Sequence, residues 1–233
     1  INMTLSLLEQ VGVTAAFEGQ IIEVQPFKDV KKQSLVVESD WSSASYFYSI
    51  VALSTVGSAI RLSSYKKESL QGDAVLAKIY EHFGVETTYD ANSMVLRKTI
   101  ESNKEPLKID LNKAPDIAQT IAVTCFGLGV SCELLGLHTL KIKETDRLEA
   151  LHIELTKLGA NIFVTNTSLH LRTSSIIHAN ISIETYNDHR MAMAFAPLAM
   201  RVPLEILDAG VVTKSYPNFW KDLQQIGFQI NKV

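Results

Sequence analysis

The stretch LKIDLNKAPDIAQTIAVTCFGLGVSCELLGL, residues 107–137, reads as a short strand, a turn carrying Asp116, a long apolar helix and a second strand. The next stretch, TDRLEALHIELTKLGANIFVTNTSLHLRT, residues 145–173, has apolar residues at helical spacing as far as Gly159. Glycine ends helices readily because it adopts the left-handed conformation. Two short strands around the polar turn TNTS follow, which predicts a hairpin. Together the two stretches predict the order β-α-β-α-β-β.

The same order recurs along the chain. Residues 34–64 and 181–210 repeat the first stretch: strand, turn with aspartate, apolar helix and strand. Residues 3–25, 72–98 and 217–233 repeat the second stretch, a helix ended by glycine and followed by one or two strands. Asp40, Asp116 and Asp188 begin the three apolar helices and are 76 and 72 residues apart. This repeat predicts an α/β (α+β) fold built of βαβαββ units. We expect residues 34–233 to form three such units and residues 1–33 to be the last helix and hairpin of an earlier unit, so that the chain is a piece of a longer protein.

Composition excludes several function classes. Net charge is −3 with 46% hydrophobic and 20% charged residues, so no basic field favours nucleic acid or an anionic membrane. The longest apolar run, residues 117–137, is interrupted by polar residues and glycines and predicts a buried helix and strand, not a membrane span. Cys125 and Cys132 lie in that run without metal-ligand spacing, and we expect reduced thiols, no metal and no cofactor.

Charged residues concentrate in the turns that begin helices. Lysine and arginine are unfavourable at the positive end of a helix unless an anion lies among them. Turns of successive units should converge at one end of the domain, so the sequence predicts a single cluster of Asp116, Lys143, Glu144, Arg147, Asp188, His189, Arg190 and Lys214. The planar guanidinium group of arginine and the N-termini of helices suit a ligand that bears a carboxylate and a phosphate. Asp116 and Glu144 are carboxylates among cations and could move protons.

Five short motifs together resemble the EPSP synthase family. They are SDWSSASYF, APDIAQTIA, KETDR, YNDHRMAMA and TKSYP, beginning at residues 39, 114, 143, 186 and 213. The resemblance covers the whole chain and implies an inside-out α/β barrel of two lobes, each of three βαβαββ units, which close on substrate. Residues 34–233 resemble the C-terminal lobe, and residues 1–33 resemble the end of the N-terminal lobe.

The resemblance also implies a reaction. Family members join the enolpyruvyl group of phosphoenolpyruvate to the 5-hydroxyl of shikimate 3-phosphate through a tetrahedral ketal, and then eliminate phosphate. By resemblance, Asp116 contacts the shikimate hydroxyls, and we expect it to be the base for the 5-hydroxyl. By resemblance also, Glu144 protonates and deprotonates the methylene carbon, and Lys143 bridges the substrates. The anions of phosphoenolpyruvate would be bound by Arg147, Arg190 and Lys214, with His189 beside them.

This chain departs from the family pattern at specific places. Thr139 occupies the position of an asparagine that contacts shikimate 3-phosphate, so a hydroxyl would replace part of that contact. A tyrosine that contacts the same substrate would precede Ile1. The N-terminal lobe, which supplies further substrate ligands, is the partner that this chain requires.

Several alternatives remain open on the sequence. The sister enzyme that uses UDP-N-acetylglucosamine shares the fold, and an isolated lobe would be non-catalytic. Asp40, Asp146 and Asp188 can be helix caps or ion-pair partners as well as ligands of substrate. Which group delivers each proton is also open, since the carboxylates and lysines titrate together. We expect a cytoplasmic monomer that glyphosate inhibits.

Overall fold

The N-terminal part of this computed structural model, which describes residues 1–26 and 34–232, is a helix followed by a hairpin. Helix α1 (Asn2–Gln10) leads through Gly12, at φ 86°, into strands β1 (Ala15–Glu18) and β2 (Ile21–Val24), which pair antiparallel. None of the helix residues is buried. The predicted helix and hairpin are therefore present, while their assignment to another lobe stays a prediction, and residues 27–33 lie outside the described part.

The first repeat unit departs from the predicted order at its beginning. Its elements are α2 (Trp41–Leu53), β3 (Ala59–Ser63), α3 (Leu76–Ile79), β4 (Val85–Asp90) and β5 (Ser93–Lys98). The three strands form an antiparallel sheet in the order β3-β5-β4. The strand predicted before Asp40 is wrong, because residues 34–39 are not a strand. Ser39 alone contacts the end of β3: its amide donates to the Ser64 carbonyl at 2.7 Å and its hydroxyl donates to the Ser63 carbonyl at 3.1 Å. Val36 and Val37 are exposed, so no sheet face buries them.

The second unit has the full predicted order. Its elements are β6 (Leu107–Asp110), α4 (Ala118–Leu128), β7 (Cys132–Leu135), α5 (Arg147–Lys157), β8 (Ile162–Val164) and β9 (Leu169–Leu171). The sheet order is β6-β7-β9-β8, with β6 and β7 parallel and the other pairs antiparallel. Gly159 at φ 97° ends α5, as predicted. The apolar run of residues 117–137, predicted to be a buried helix and strand, is thus α4 and β7.

The third unit is shorter than predicted. Strands β10 (Ile181–Ile183) and β11 (Leu204–Ile206) pair parallel around α6 (His189–Phe195), and α7 (Phe219–Gln225) ends before Gly227. The strand expected after Gly227 is wrong, because residues 228–232 have no strand partner in the described part of the chain. In the described residues of this unit, α7 is therefore followed by coil.

The apolar helices lie inside and the sheets lie outside. Every residue of α4 is buried, and α2 packs against α4, which packs against α6. A helix that is apolar all round can be stable only in such an interior position. Hydroxyl pairs join the helices, Ser45 to Thr120 at 2.9 Å and Ser49 to Thr124 at 2.7 Å. The predicted α/β fold is confirmed.

The prediction of buried, reduced thiols is also confirmed. Cys125 and Cys132 are both free and buried, as a reduced core thiol should be. Met191, Met193 and Phe195 are buried in α6. Within residues 1–26 and 34–232, no helix has both the length and the apolar character that crossing a bilayer requires.

Candidate active site

The site is built on the beginnings of three helices, and two of them are capped by aspartate. The Asp146 carboxylate accepts from the Glu149 amide at 3.2 Å, and the Asp188 carboxylate accepts from the Arg190 amide at 2.8 Å. Asp116 lies in a 3-10 turn, Pro115–Ile117, directly before α4. Aspartate suits these positions because its oxygens satisfy amides that have no partner inside the helix. The residues that follow each cap are thereby fixed at the same end of the domain.

Arg147 is the centre of the predicted cluster. Its side chain is 1% exposed, and its guanidinium donates to Asp188 at 2.7 Å, Asp116 at 2.9 Å and Glu144 at 2.6 Å. A buried cation requires such partners, because an unpaired charge away from water is very costly. The guanidinium therefore aligns three carboxylates from three different turns. Its donors are directed to the protein, so Arg147 can bind a ligand only by exchanging one of these partners.

Asp116 gathers the other cations. Lys143 lies 3.2 Å from one carboxylate oxygen, and Arg190 lies 3.4 Å from the other. Burial by itself raises the pKa of Asp116, but the charges of Arg190, Lys143 and Arg147 outweigh it and hold the pKa below its usual value. Asp116 is consequently ionised at neutral pH and is a weak base while these three cations surround it.

Glu144 and His189 occupy the more open side of the cluster. Burial alone would raise the pKa of Glu144. A backbone hydrogen bond and the charge of Arg147 have the larger effect, so the pKa lies below its usual value and the group is a carboxylate at neutral pH. Burial lowers the pKa of His189, which keeps the imidazole neutral. Its Nδ1 atom is buried and has no hydrogen-bond partner among the described residues. The Nδ1 atom lies 3.8 Å from an oxygen of Glu144 and 3.8 Å from an oxygen of Asp188.

The same residues could be considered as metal ligands. Oxygens of Glu144 and Asp188 and a nitrogen of His189 lie within 4.8 Å of one another. The Arg147 guanidinium binds both carboxylates, so a metal ion there would lie against a fixed positive charge. The fixed charge of Arg147 therefore disfavours a metal ion among these three residues.

Lys214 joins the cluster through a neighbour. Its ammonium donates to the main-chain oxygen of Asn187 at 2.6 Å and to the side-chain oxygen of Asn187 at 2.8 Å. Asn187 directly precedes Asp188, so Lys214 is held beside the start of α6. Thr139 lies in the 3-10 turn His138–Ile142, which packs against the turn of Asp116. Its hydroxyl is buried and finds no partner in the described parts of the chain.

The remaining charged residues near the cluster act as caps or neighbours. Asp40 accepts from the Ser42 amide at 3.0 Å and caps α2. Lys141 pairs with Asp146 at 3.0 Å, and the side chain of Lys141 is 39% exposed. Asp146 and Asp188 are each a cap and an ion-pair partner, so the two interpretations open on the sequence both apply.

The surroundings of Arg190 include residues outside the predicted cluster. Burial lowers the pKa of this guanidinium, but the charges of Tyr46, Asp116, Asp40 and Asp73 together raise it above its usual value. Tyr46 lies within the motif SDWSSASYF but was not assigned to the site, whereas Asp73 lies in the 3-10 turn Gly72–Val75, outside all five motifs. Asn187 was also missed, although it lies within the motif YNDHRMAMA and only its contact with Lys214 reveals its role.

The cluster lies on an open face of the domain. Asp116, Lys143 and Glu144 keep 28%, 32% and 38% of their side chains exposed. Three cationic side chains, Lys143, Arg147 and Arg190, contact three carboxylates, Asp116, Glu144 and Asp188, and Asn187 holds Lys214 beside them. Such an arrangement can bind a small polyanion by exchanging internal ion pairs, and it places proton-transfer groups beside that anion.

Comparisons with known proteins agree on one family. The family model described as "EPSP synthase (3-phosphoshikimate 1-carboxyvinyltransferase)" matches residues 1–223. A relative named 3-phosphoshikimate 1-carboxyvinyltransferase from Bacteroides fragilis is 41% identical over 99% of this chain and 56% of its own length. A relative of the same name from Methanospirillum hungatei is 31% identical over 97% of this chain and 53% of its own length.

A solved structure has the same fold. EPSP synthase from Acinetobacter baumannii superposes with a TM-score of 0.77 and 22% identity, over 98% of this chain and 55% of that chain. This likeness concerns the inside-out α/β fold. The chain spans about half the length of the relatives and structures that it matches.

Proposed function

Because the chain belongs to the EPSP synthase family, we propose that it forms one wall of the active site of an enzyme that transfers the enolpyruvyl group of phosphoenolpyruvate to shikimate 3-phosphate. The observation that carries the proposal is the contact of Asp116 with Lys143, Arg147 and Arg190, which brings three separate motifs to one place. That contact joins a carboxylate able to take a proton to cations able to hold the substrate anions. The product belongs to the route to chorismate and the aromatic amino acids.

The reaction requires two proton movements that the cluster can supply. In the addition step, the 5-hydroxyl oxygen forms a bond to C2 of phosphoenolpyruvate, its proton passes to Asp116, and the methylene carbon takes a proton from Glu144. In the elimination step, Glu144 removes a proton from the resulting methyl group while the bond from C2 to phosphate breaks. Lys143, 3.2 Å from Asp116, would lie near the reacting oxygen and stabilise its negative charge.

Binding of substrate would adjust the carboxylates for these roles. Both carboxylates now have lowered pKa values despite burial, Asp116 because of the charges of Arg190, Lys143 and Arg147, and Glu144 because of a backbone hydrogen bond and the charge of Arg147. The carboxylate and phosphate of phosphoenolpyruvate would draw Arg190 and Lys214 toward themselves and add negative charge. Both effects raise the pKa of Glu144 toward neutrality, where a carboxyl group can donate a proton. Catalytic competence would thus depend on the presence of substrate.

The anion-binding groups would differ in how directly they bind substrate. Arg190 and Lys214 would bind phosphoenolpyruvate directly, with His189 beside them. Arg147 would join by exchanging Glu144 or Asp116 for a substrate oxygen, because all its present contacts are with protein carboxylates. Thr139 would offer its unpartnered hydroxyl to shikimate 3-phosphate. Glyphosate, which also carries a carboxylate and a phosphonate, would compete for the same cations.

We further propose that residues 34–233 are the C-terminal lobe and residues 1–33 the end of an N-terminal lobe. The open face of the cluster and the match to about half of each relative support this division. A second lobe would close over the face, supply further substrate ligands and exclude water, and the 233-residue chain alone would be inactive. We place the whole protein in the cytoplasm as a monomer.

A coupled assay tests the proposal. The whole protein should release phosphate from phosphoenolpyruvate only when shikimate 3-phosphate is supplied, and glyphosate should inhibit in competition with phosphoenolpyruvate. Release with UDP-N-acetylglucosamine and not with shikimate 3-phosphate would contradict the substrate assignment. Turnover by the 233-residue chain alone would contradict the requirement for a second lobe.

A further inference from the structure

Helix α5 carries a second buried charge on the same face as Arg147. Glu154 is completely buried, and it follows Arg147 by seven residues, which is about two helical turns. The Tyr186 hydroxyl donates to one oxygen of Glu154 at 2.7 Å, and the Glu184 amide donates to the other at 3.1 Å. Arg147 binds Asp188 at the other end of this segment. Two residues on one face of α5 therefore hold residues 184–188, with Glu154 bound to Glu184 and Tyr186 and Arg147 bound to Asp188.

The charge of Glu154 is compensated locally. Lys157, one helical turn further along α5, forms an ion pair with Glu154 and donates to the Ser182 carbonyl at 2.7 Å. A cation and two further donors are the partners that a buried carboxylate requires. The arrangement is thus a complete hydrogen-bonded network outside the set of groups assigned to the reaction.

The segment of residues 184–188 has an unusual backbone. Tyr186 and Asn187 have φ values of 52° and 57°, so two successive residues other than glycine adopt the left-handed conformation. This conformation is unfavourable for residues with a Cβ atom and persists only where the surrounding structure holds it. Glu154 on one side and Arg147 on the other supply that constraint.

The constrained turn positions groups of the site. It presents both the main-chain and the side-chain oxygen of Asn187 to Lys214, and it leads directly into Asp188 and Arg190. We propose that Glu154, acting through Tyr186, is a positioning residue that fixes the Asn187 turn and thereby the place of Lys214. The consequence for phosphoenolpyruvate binding rests on the proposed function, whereas the positioning itself does not.

The first test measures the position of Lys214 without using the reaction. Limiting acetic anhydride is applied to the whole protein, and acetylation of Lys214 is quantified by peptide mass spectrometry. In Tyr186→Phe the labelling rate should rise roughly three- to tenfold, the equivalent of losing about one hydrogen bond. Tyr48→Phe is the matched control, because it also removes a buried 2.7 Å hydrogen bond, to Thr87, away from the turn, and its Lys214 rate should stay at the wild-type value.

Unchanged labelling in Tyr186→Phe would overturn the inference, as would an equal rise in Tyr48→Phe. Glu154→Gln gives a second variant, which keeps an acceptor for Tyr186 but loses the charge. If it folds, as judged by circular dichroism, its labelling rate should lie between those of the wild type and Tyr186→Phe. A Glu154→Gln protein that folds but labels faster than Tyr186→Phe would contradict action through the tyrosine.

Kinetics of the whole protein separate the inference from the proposed function. Tyr186→Phe should raise the KM for phosphoenolpyruvate while leaving the KM for shikimate 3-phosphate and kcat near their wild-type values. Faster labelling with an unchanged KM for phosphoenolpyruvate would support the positioning by Glu154 and reject the role of Lys214 in binding that substrate. Unchanged labelling together with a raised KM would reject the positioning while leaving the proposed function intact.

Discussion

The Nε atom of Arg147 lies 2.7 Å from the Oδ2 atom of Asp188, and both side chains are almost completely withdrawn from solvent. This ion pair joins the start of α5 to the start of α6, and through the same guanidinium it reaches Asp116 before α4. Three helices from two repeat units therefore meet at one buried charge. The geometry of the whole cluster depends on this contact.

Replacing Asp188 by asparagine should destabilise the fold markedly. Asparagine can still cap α6, but Arg147 loses its most buried counterion, and we expect a loss of about 2–4 kcal/mol in the free energy of unfolding. Asp146→Asn is the control, since it keeps the cap of α5 and removes only a partly exposed pair with Lys141, at a cost of about 0–1 kcal/mol. Urea unfolding compares the two, and equal losses would contradict the central role of the buried pair.

Acid should unfold the protein partly through the same cluster. The pKa values of Asp116 and Glu144 are lowered in the folded state, so their contribution to stability is complete above the pKa values of the unfolded chain, 3.8 and 4.5. It is lost as the pH falls below those values and through the folded pKa values. Unfolding free energy measured from pH 6 to pH 2.5 should fall less steeply in Asp116→Asn than in the wild type. Parallel curves would show that Asp116 does not contribute.

Glu144 should affect turnover more than binding. Glu144→Gln keeps the size of the side chain but cannot exchange a proton, so kcat in the whole protein should fall by about 10²- to 10⁴-fold. The KM for each substrate should change little, because the group is assigned to proton transfer. Steady-state kinetics with both substrates measure this. A variant with near-normal kcat would remove Glu144 from the proposed mechanism.

Arg190 should affect phosphoenolpyruvate binding more than turnover. Arg190→Lys keeps the positive charge but loses the planar fork that matches a carboxylate or phosphate. We expect the KM for phosphoenolpyruvate to rise by about tenfold or more, with a much smaller change in the KM for shikimate 3-phosphate, as in a lost binding interaction. Arg201→Lys is the control, because Arg201 donates to the Gly127 carbonyl at 3.0 Å and has no assigned role in the site. Equal effects of the two changes would argue against a specific role of Arg190.

Gly72 should resist substitution because of a close approach of two backbones. A Cβ atom at this position would lie 2.6 Å from the Lys113 carbonyl oxygen, in the turn that leads to Asp116. Gly72→Ala should therefore cost about 1–3 kcal/mol, as other overpacked positions do. At Gly210 a Cβ atom would meet nothing within 4 Å, so Gly210→Ala is the matched control and should be close to neutral. Thermal unfolding of the two variants compares them.

Local pattern was sufficient to find most elements. The all-apolar helices α2, α4 and α6, the glycines that end helices and the antiparallel hairpins all follow from short-range preferences, and the structure has them where they were expected. The strand expected at residues 34–39 failed because strand formation needs a partner along its length, which the contacts of Ser39 alone do not provide. Whether a segment finds a strand partner depends on where another segment of the chain lies, and the residues of the first segment alone do not determine that.

The sequence by itself also determined which turns carry the charges and, through five motifs, the family. It could not determine that Arg147 is buried with three carboxylates, that Tyr186 and Asn187 adopt a left-handed turn held by Glu154, or that Lys214 is held by Asn187. These features join residues distant along the chain, and their distances depend on how helices from different units pack. An ion pair exists only where packing brings its partners within a few ångströms, because the Coulomb energy and the cost of desolvation both depend on that final position.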